Sequence, residues 1–93
     1  MSAASEALLA VAAHVEADTR GPKAAVATLW IRLHGEIYDR DGHAELRVAF
    51  EALAEECGIS ASSMQTYLGP QLKRMTAAER GAALRAASAK VPA

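Results

Sequence analysis

Three histidines, His14, His34 and His43, and one cysteine, Cys57, carry the most versatile side-chain chemistry in this chain. A zinc site draws on such groups at short fixed spacings, two His one helical turn apart or a Cys-x-x-Cys pair. None of the four residues has either spacing, so neither a metal site nor a cofactor is expected. Cys57 beside a base would be a nucleophile. It falls instead where a helix pair needs an apolar residue, and reads as core. Ser62 and Ser63 belong to no motif that would activate a hydroxyl, and there is no glycine-rich phosphate loop. Glu36, Asp39, Asp41 and Glu45 surround a short loop but lack the ligand order of a calcium loop, and read as a solvated acidic surface. With no acid–base pair and no nucleophile, the expectation is a binding protein and not an enzyme.

The elements that would position a binding site are helical. At 93 residues the chain is expected to be one domain. It is 52% hydrophobic, much of that alanine, with four aromatics in all. Alanine favours helix but buries little area, which predicts an all-α fold with a thin core. One cysteine cannot form an internal disulfide and fits a reducing cytoplasm. No apolar run reaches the roughly 20 residues of a membrane span, and Ala7 to Val15 has no basic segment before it, so it reads as a helix face and not as a signal peptide. The expected location is cytoplasmic, with no membrane partner. Charge divides unevenly. Residues 1–57 hold 5 Lys/Arg and 10 Asp/Glu, net −5, whereas residues 58–93 hold 5 Lys/Arg and only Glu79, net +4. The C-terminal part is therefore the part suited to face phosphate.

About five helices are expected. Leu8, Val11, Ala12 and Val15 recur at helical spacing and predict a first helix over 3–17, capped by Ser2 or Ser5. Pro22 suits the first turn of a second helix. That helix carries the stripe Val26, Leu29, Trp30, Leu33 and Ile37, with Trp30 expected to contribute most to the core. The same stripe is a candidate dimer seam, and residues 1–40 a candidate dimerisation part. Residues 39–42 read as a loop and His43 to Cys57 as a third helix, closed by a glycine in the left-handed position, Gly58. A fourth helix is expected to start with Ser60 as N-cap and stop before Gly69-Pro70, with Leu72 and Met75 on a short extension. Thr76 and Glu79 form a capping box opening a last helix within 76–90. Residues 91–93 are expected to fray.

The stretch from Phe50 to Gly69, FEALAEECGISASSMQTYLG, resembles the helix-turn-helix of bacterial transcription regulators. The resemblance covers roughly a fifth of the chain and no particular family is recognised over the rest. Ala54 supplies the small residue where the second helix crosses the first, Gly58 the turn, and Leu53, Cys57, Ile59, Met64 and Tyr67 the apolar pins. The resemblance implies a unit over residues 43–69 whose second helix lies in the major groove of double-stranded DNA. Ser60, Ala61, Ser62, Gln65 and Thr66 would then face the duplex. Gln65 suits a bidentate contact to adenine, and Ser62 and Thr66 suit base edges or phosphate. Lys73 and Arg74 would anchor phosphates, with Arg80 and Arg85 extending the basic surface. The expected function is a small DNA-binding transcriptional regulator acting as a homodimer. The alternative is a helical protein-interaction module, an anti-activator or adaptor that binds another regulator and not DNA.

Overall fold

Leu8, Val11 and Val15 on the first helix and Leu29, Leu33 and Ile37 on the second all become fully buried, and the fold is built around them. The structure, a computed structural model, describes residues 2–92, with the side chains of Asp41 and Gln65 outside the described part. Helices α1 (Ala3–Ala17), α2 (Pro22–Asp41), α3 (His43–Glu56), α4 (Met64–Lys73) and α5 (Ala77–Lys90) follow in order, with a single 3₁₀ turn, Ala61–Ser63, ahead of α4. No strand occurs among the described residues. The molecule measures 30 × 25 × 20 Å. Among the described residues no helix is long and apolar enough to cross a membrane.

Local signals explain most boundaries. Ser2 caps α1 by accepting the Ser5 N–H at 3.1 Å. Pro22 opens α2 at a position where its missing N–H is not needed. Thr76 and Glu79 close a capping box, with the Glu79 N–H on Thr76 Oγ1 at 3.2 Å and the Thr76 N–H on Glu79 Oε1 at 3.0 Å. That backbone bond holds the Glu79 carboxyl below its ordinary range. A cap of this kind contributes about 1 kcal/mol.

α1 and α5 pack antiparallel and closely. Ser5 near the start of α1 meets Ser88 near the end of α5. Ser5 Oγ donates to the Ser88 carbonyl at 3.0 Å, and Ser88 Oγ donates to the Ser5 carbonyl at 3.1 Å. Each hydroxyl has one proton, so the reciprocal pair satisfies both buried groups. At the other end Arg85 grips Glu16 through Nη2 at 2.8 Å and Nε at 2.9 Å. Gly81 lies beneath this ion pair, and a Cβ there would overlap Glu16 Cγ.

Several expectations are corrected. α2 does not yield to a loop at 39–42: it runs through Asp41, and Gly42 alone, at φ +80°, turns the chain into α3. The Gly42 N–H reaches the Ile37 carbonyl at 3.1 Å, so one residue suffices. α4 does not stop before Gly69-Pro70 but continues to Lys73 with Pro70 inside it. Met64, Leu68 and Leu72, four residues apart, all bury on one side, and that packing outweighs the missing Pro70 N–H. Trp30 is only partly buried, against Phe50 at a centroid distance of 4.8 Å, and the aliphatic side chains around it form the centre of the core. Val91 is buried and not frayed; Ala93 lies outside the described residues.

Candidate nucleic-acid interface

The turn between α3 and α4 is set by residues 54–59. Gly58 sits at φ +77°, where glycine carries no steric penalty. Its N–H reaches the Glu55 carbonyl at 3.1 Å, and the Ile59 N–H reaches the Ala54 carbonyl at 3.0 Å. These two bonds are the Schellman closure of a helix C-terminus. Ile59 then packs against the core, while Ala54, Leu53 and Cys57 are buried beneath the turn. Met64 is buried as expected. Tyr67 is not: it is 56% exposed, and Leu68, the next residue, takes the pinning position. Leu68 shares a four-residue spacing with Met64 and Leu72, which the sequence shows, whereas Tyr67 lies one position off that line.

Ser60 also departs from expectation. It precedes the 3₁₀ turn and not α4, and its hydroxyl makes no cap to the backbone. Ser60 Oγ donates to Ser63 Oγ at 2.9 Å and lies 3.2 Å from Ser62 Oγ, so three hydroxyls form a small surface cluster. Ser60, Ala61, Ser62, Thr66, Lys73 and Arg74 are all exposed. The Gln65 side chain lies outside the described residues. Ala61, Ser62 and Thr66 share a shallow cleft of about 460 Å³ with His43, Arg47 and Glu51 of α3. Lys73 and Arg74 stand at the opposite end of α4, about 10–12 Å beyond Thr66 along its axis. The structure thus gathers the expected residues into two groups at the two ends of one exposed helix.

Charge decides what those groups can meet. From Cys57 to Ala78 there is no Asp or Glu. The acids just before the turn are engaged elsewhere. Lys90 Nζ pairs with Glu56 and lies 3.3 Å from Glu55 Oε1, and Arg47 bonds Glu51 at 3.0 Å. Among the described residues, Lys73 and Arg74 have no ion-pair partner; Arg74 only touches Gln71 Oε1 at 3.3 Å. The wider basic surface expected from Arg80 and Arg85 is absent. Arg80 is 3% exposed, and its Nη1 donates to the Leu72 carbonyl at 3.0 Å and to the Met75 carbonyl, closing the end of α4. Arg85 is committed to Glu16.

No family model matches this sequence, and no curated protein or solved structure matches it. The site therefore stands on its own geometry. Cys57 is buried, and that burial, followed by the Glu56 charge, pushes its thiol up to about 11, which leaves little thiolate for chemistry. Among the described residues no three His, Cys, Asp or Glu side chains converge on a common point.

Proposed function

We propose that the protein is a small helix-turn-helix regulator that binds double-stranded DNA as a homodimer, with α4 as the helix presented to the major groove. The observation that carries the reading is an exposed, acid-free helix with hydroxyls at its start and two unpaired cations at its end. The spacing of those ends is comparable to the roughly 12 Å width of the groove. In this reading Lys73 and Arg74 hold phosphates. Ser62 and Thr66 approach base edges, where Ser and Thr accept either a donor or an acceptor, and Gln65 completes the reading surface. Regulation would be steric or by recruitment, without catalysis.

A second reading is a protein-interaction module, and the 56% exposure of Tyr67 on the same helix favours it. A titration against randomised duplex at low and moderate salt, with selection of the bound fraction, separates the two. Enrichment of a palindromic sequence supports the regulator. Absence of binding at low salt overturns it and leaves the interaction module.

A further inference from the structure

α2 is apolar on two sides. Its inner stripe, Val26, Leu29, Leu33 and Ile37, is buried in the core. The opposite side of a surface helix is ordinarily polar. Here Ile31, Gly35 and Tyr38 follow one another at steps of four and three residues, the spacing of a two-helix coiled-coil seam, while Thr28, one step earlier, accepts from Arg20 Nη2 at 2.7 Å and ends the apolar run. Ile31 is 73% exposed and Tyr38 43%. Tyr38 is held in place by stacking on His34 at 4.9 Å and an edge contact with His43 at 4.6 Å. Gly35 lies at mid-seam, where glycine is about 1 kcal/mol less favourable than alanine in a helix. A Cβ there would meet nothing within 4 Å, so no contact inside the chain requires glycine. Close approach of a second helix would.

The charges beside the seam say what that helix is. At about 100° per residue, Arg32 and Asp39 fall on the same edge of the seam. Both are exposed, and among the described residues neither has an ion-pair partner. In an antiparallel helix pair, residues on the same edge face each other; in a parallel pair they do not.

We propose that this face is a self-association surface on which two copies pair through α2, antiparallel across a two-fold axis beside Gly35. In that register Ile31 packs on Tyr38 of the second copy, and Arg32 comes opposite Asp39 of the second copy. The two-fold repeats each contact, which is the self-complementarity an isologous dimer needs. The seam is the outer face of α2, opposite the Trp30 stripe that the sequence offered as a dimer seam. The interface rests on the homodimer in the proposed function and not on DNA contact.

The test is sedimentation velocity over a concentration series, without DNA. The unaltered protein is expected at dimer mass, dissociating on dilution. Arg32→Asp and Asp39→Arg are each expected to lose the dimer through like-charge contacts, and the double variant to regain it, because the exchange restores both pairs. Ile31→Glu, at an exposed position, is expected to be monomeric with unchanged circular dichroism. A monomer at every concentration overturns the proposal, as does a double variant no more dimeric than its parents, or an Ile31→Glu protein that remains dimeric. A monomer at every concentration also removes the homodimer from the proposed function, whereas a dimer that survives Ile31→Glu overturns only this surface; DNA binding itself fails or stands separately on the duplex titration.

Discussion

Gly58→Ala tests how the presented helix is aimed. Gly58 has φ +77°, and a Cβ there would touch nothing within 4 Å. No clash arises, so the whole effect is conformational. An L-residue held in the left-handed region costs about 1–2 kcal/mol. The turn cannot relax out of it without giving up the bonds to the Ala54 and Glu55 carbonyls. In a domain of this size about 1 kcal/mol moves Tm by about 4–8 °C, so a fall of about 4–16 °C is expected. Gly35→Ala is the matched control. It also fills empty space, but Gly35 has an ordinary helical φ, and alanine there should add about 0.5–1 kcal/mol. Both changes are best made in the Ile31→Glu background and followed by thermal circular dichroism, so that self-association does not contribute. A Gly58→Ala protein as stable as its parent, or a Gly35→Ala protein less stable than its parent, would refute the reasoning, because the two sites differ in φ and not in room.

Replacing Lys73 and Arg74 together by alanine should weaken binding to all duplexes alike and flatten the slope of log affinity against log salt by about 1.8, two phosphate contacts' worth; an unchanged slope in a duplex titration would remove them from the backbone contact. Ser5→Ala or Ser88→Ala removes a buried hydroxyl donor from a carbonyl that keeps its backbone N–H, and should cost about 0.5–1.5 kcal/mol in chemical denaturation. The double variant should lose less than the sum, and strict additivity would mean that the two hydroxyls do not act as a pair. The Arg20 guanidinium, and then the Arg20 N–H, hold the Asp18 carboxyl down at about 2 against an ordinary 3.8. Its contribution is therefore complete above about pH 4 and lost as pH falls towards about 2. Asp18→Asn should flatten stability against pH across that window, and identical acid profiles for the two proteins would show that the pair contributes nothing to folding.

The all-α architecture was legible because its signals are local. A serine ahead of α1, a proline opening α2, the Gly58 turn and the Thr76–Glu79 box each act within a few residues, and all four stand where the sequence put them. What was not legible depends on packing between helices. Pro70 reads as a stop until Leu68 and Leu72 are seen to be fully buried on either side of it. Ser60 reads as a helix cap until a 3₁₀ turn intervenes and its hydroxyl turns to Ser63. Arg80 reads as surface charge because nothing local announces that the carbonyls at the end of α4 will need a donor from α5. Ser60, Ala61, Ser62, Thr66, Lys73 and Arg74 are exposed, and that exposure follows from the Gly58 turn, which the sequence does specify.

The fate of the C-terminal cations limits how such a protein could hold DNA. The residues after Cys57 carry a net +4, which suggests a broad basic face. Folding withdraws most of it: Arg80 closes α4, Arg85 ties α5 to Glu16, and Lys90 neutralises the acids that end α3. Among the described residues, two cations without an ion-pair partner remain on the candidate interface, worth a salt slope of about −1.8 for a single copy. That is small beside the six to ten phosphate contacts of a salt-sensitive DNA binder, so one copy would hold nonspecific DNA weakly. Pairing two copies doubles the anchors, and the second engagement becomes intramolecular, which raises overall affinity without any new contact. In the proposed DNA-binding reading, the ion pairs that build the fold therefore make self-association the route to useful affinity. The consequence is specific: Ile31→Glu, remote in sequence from α4 and leaving its residues intact, should roughly halve the salt slope on a two-site duplex. An undiminished slope in that variant would break the link between the α2 surface and the DNA-binding reading.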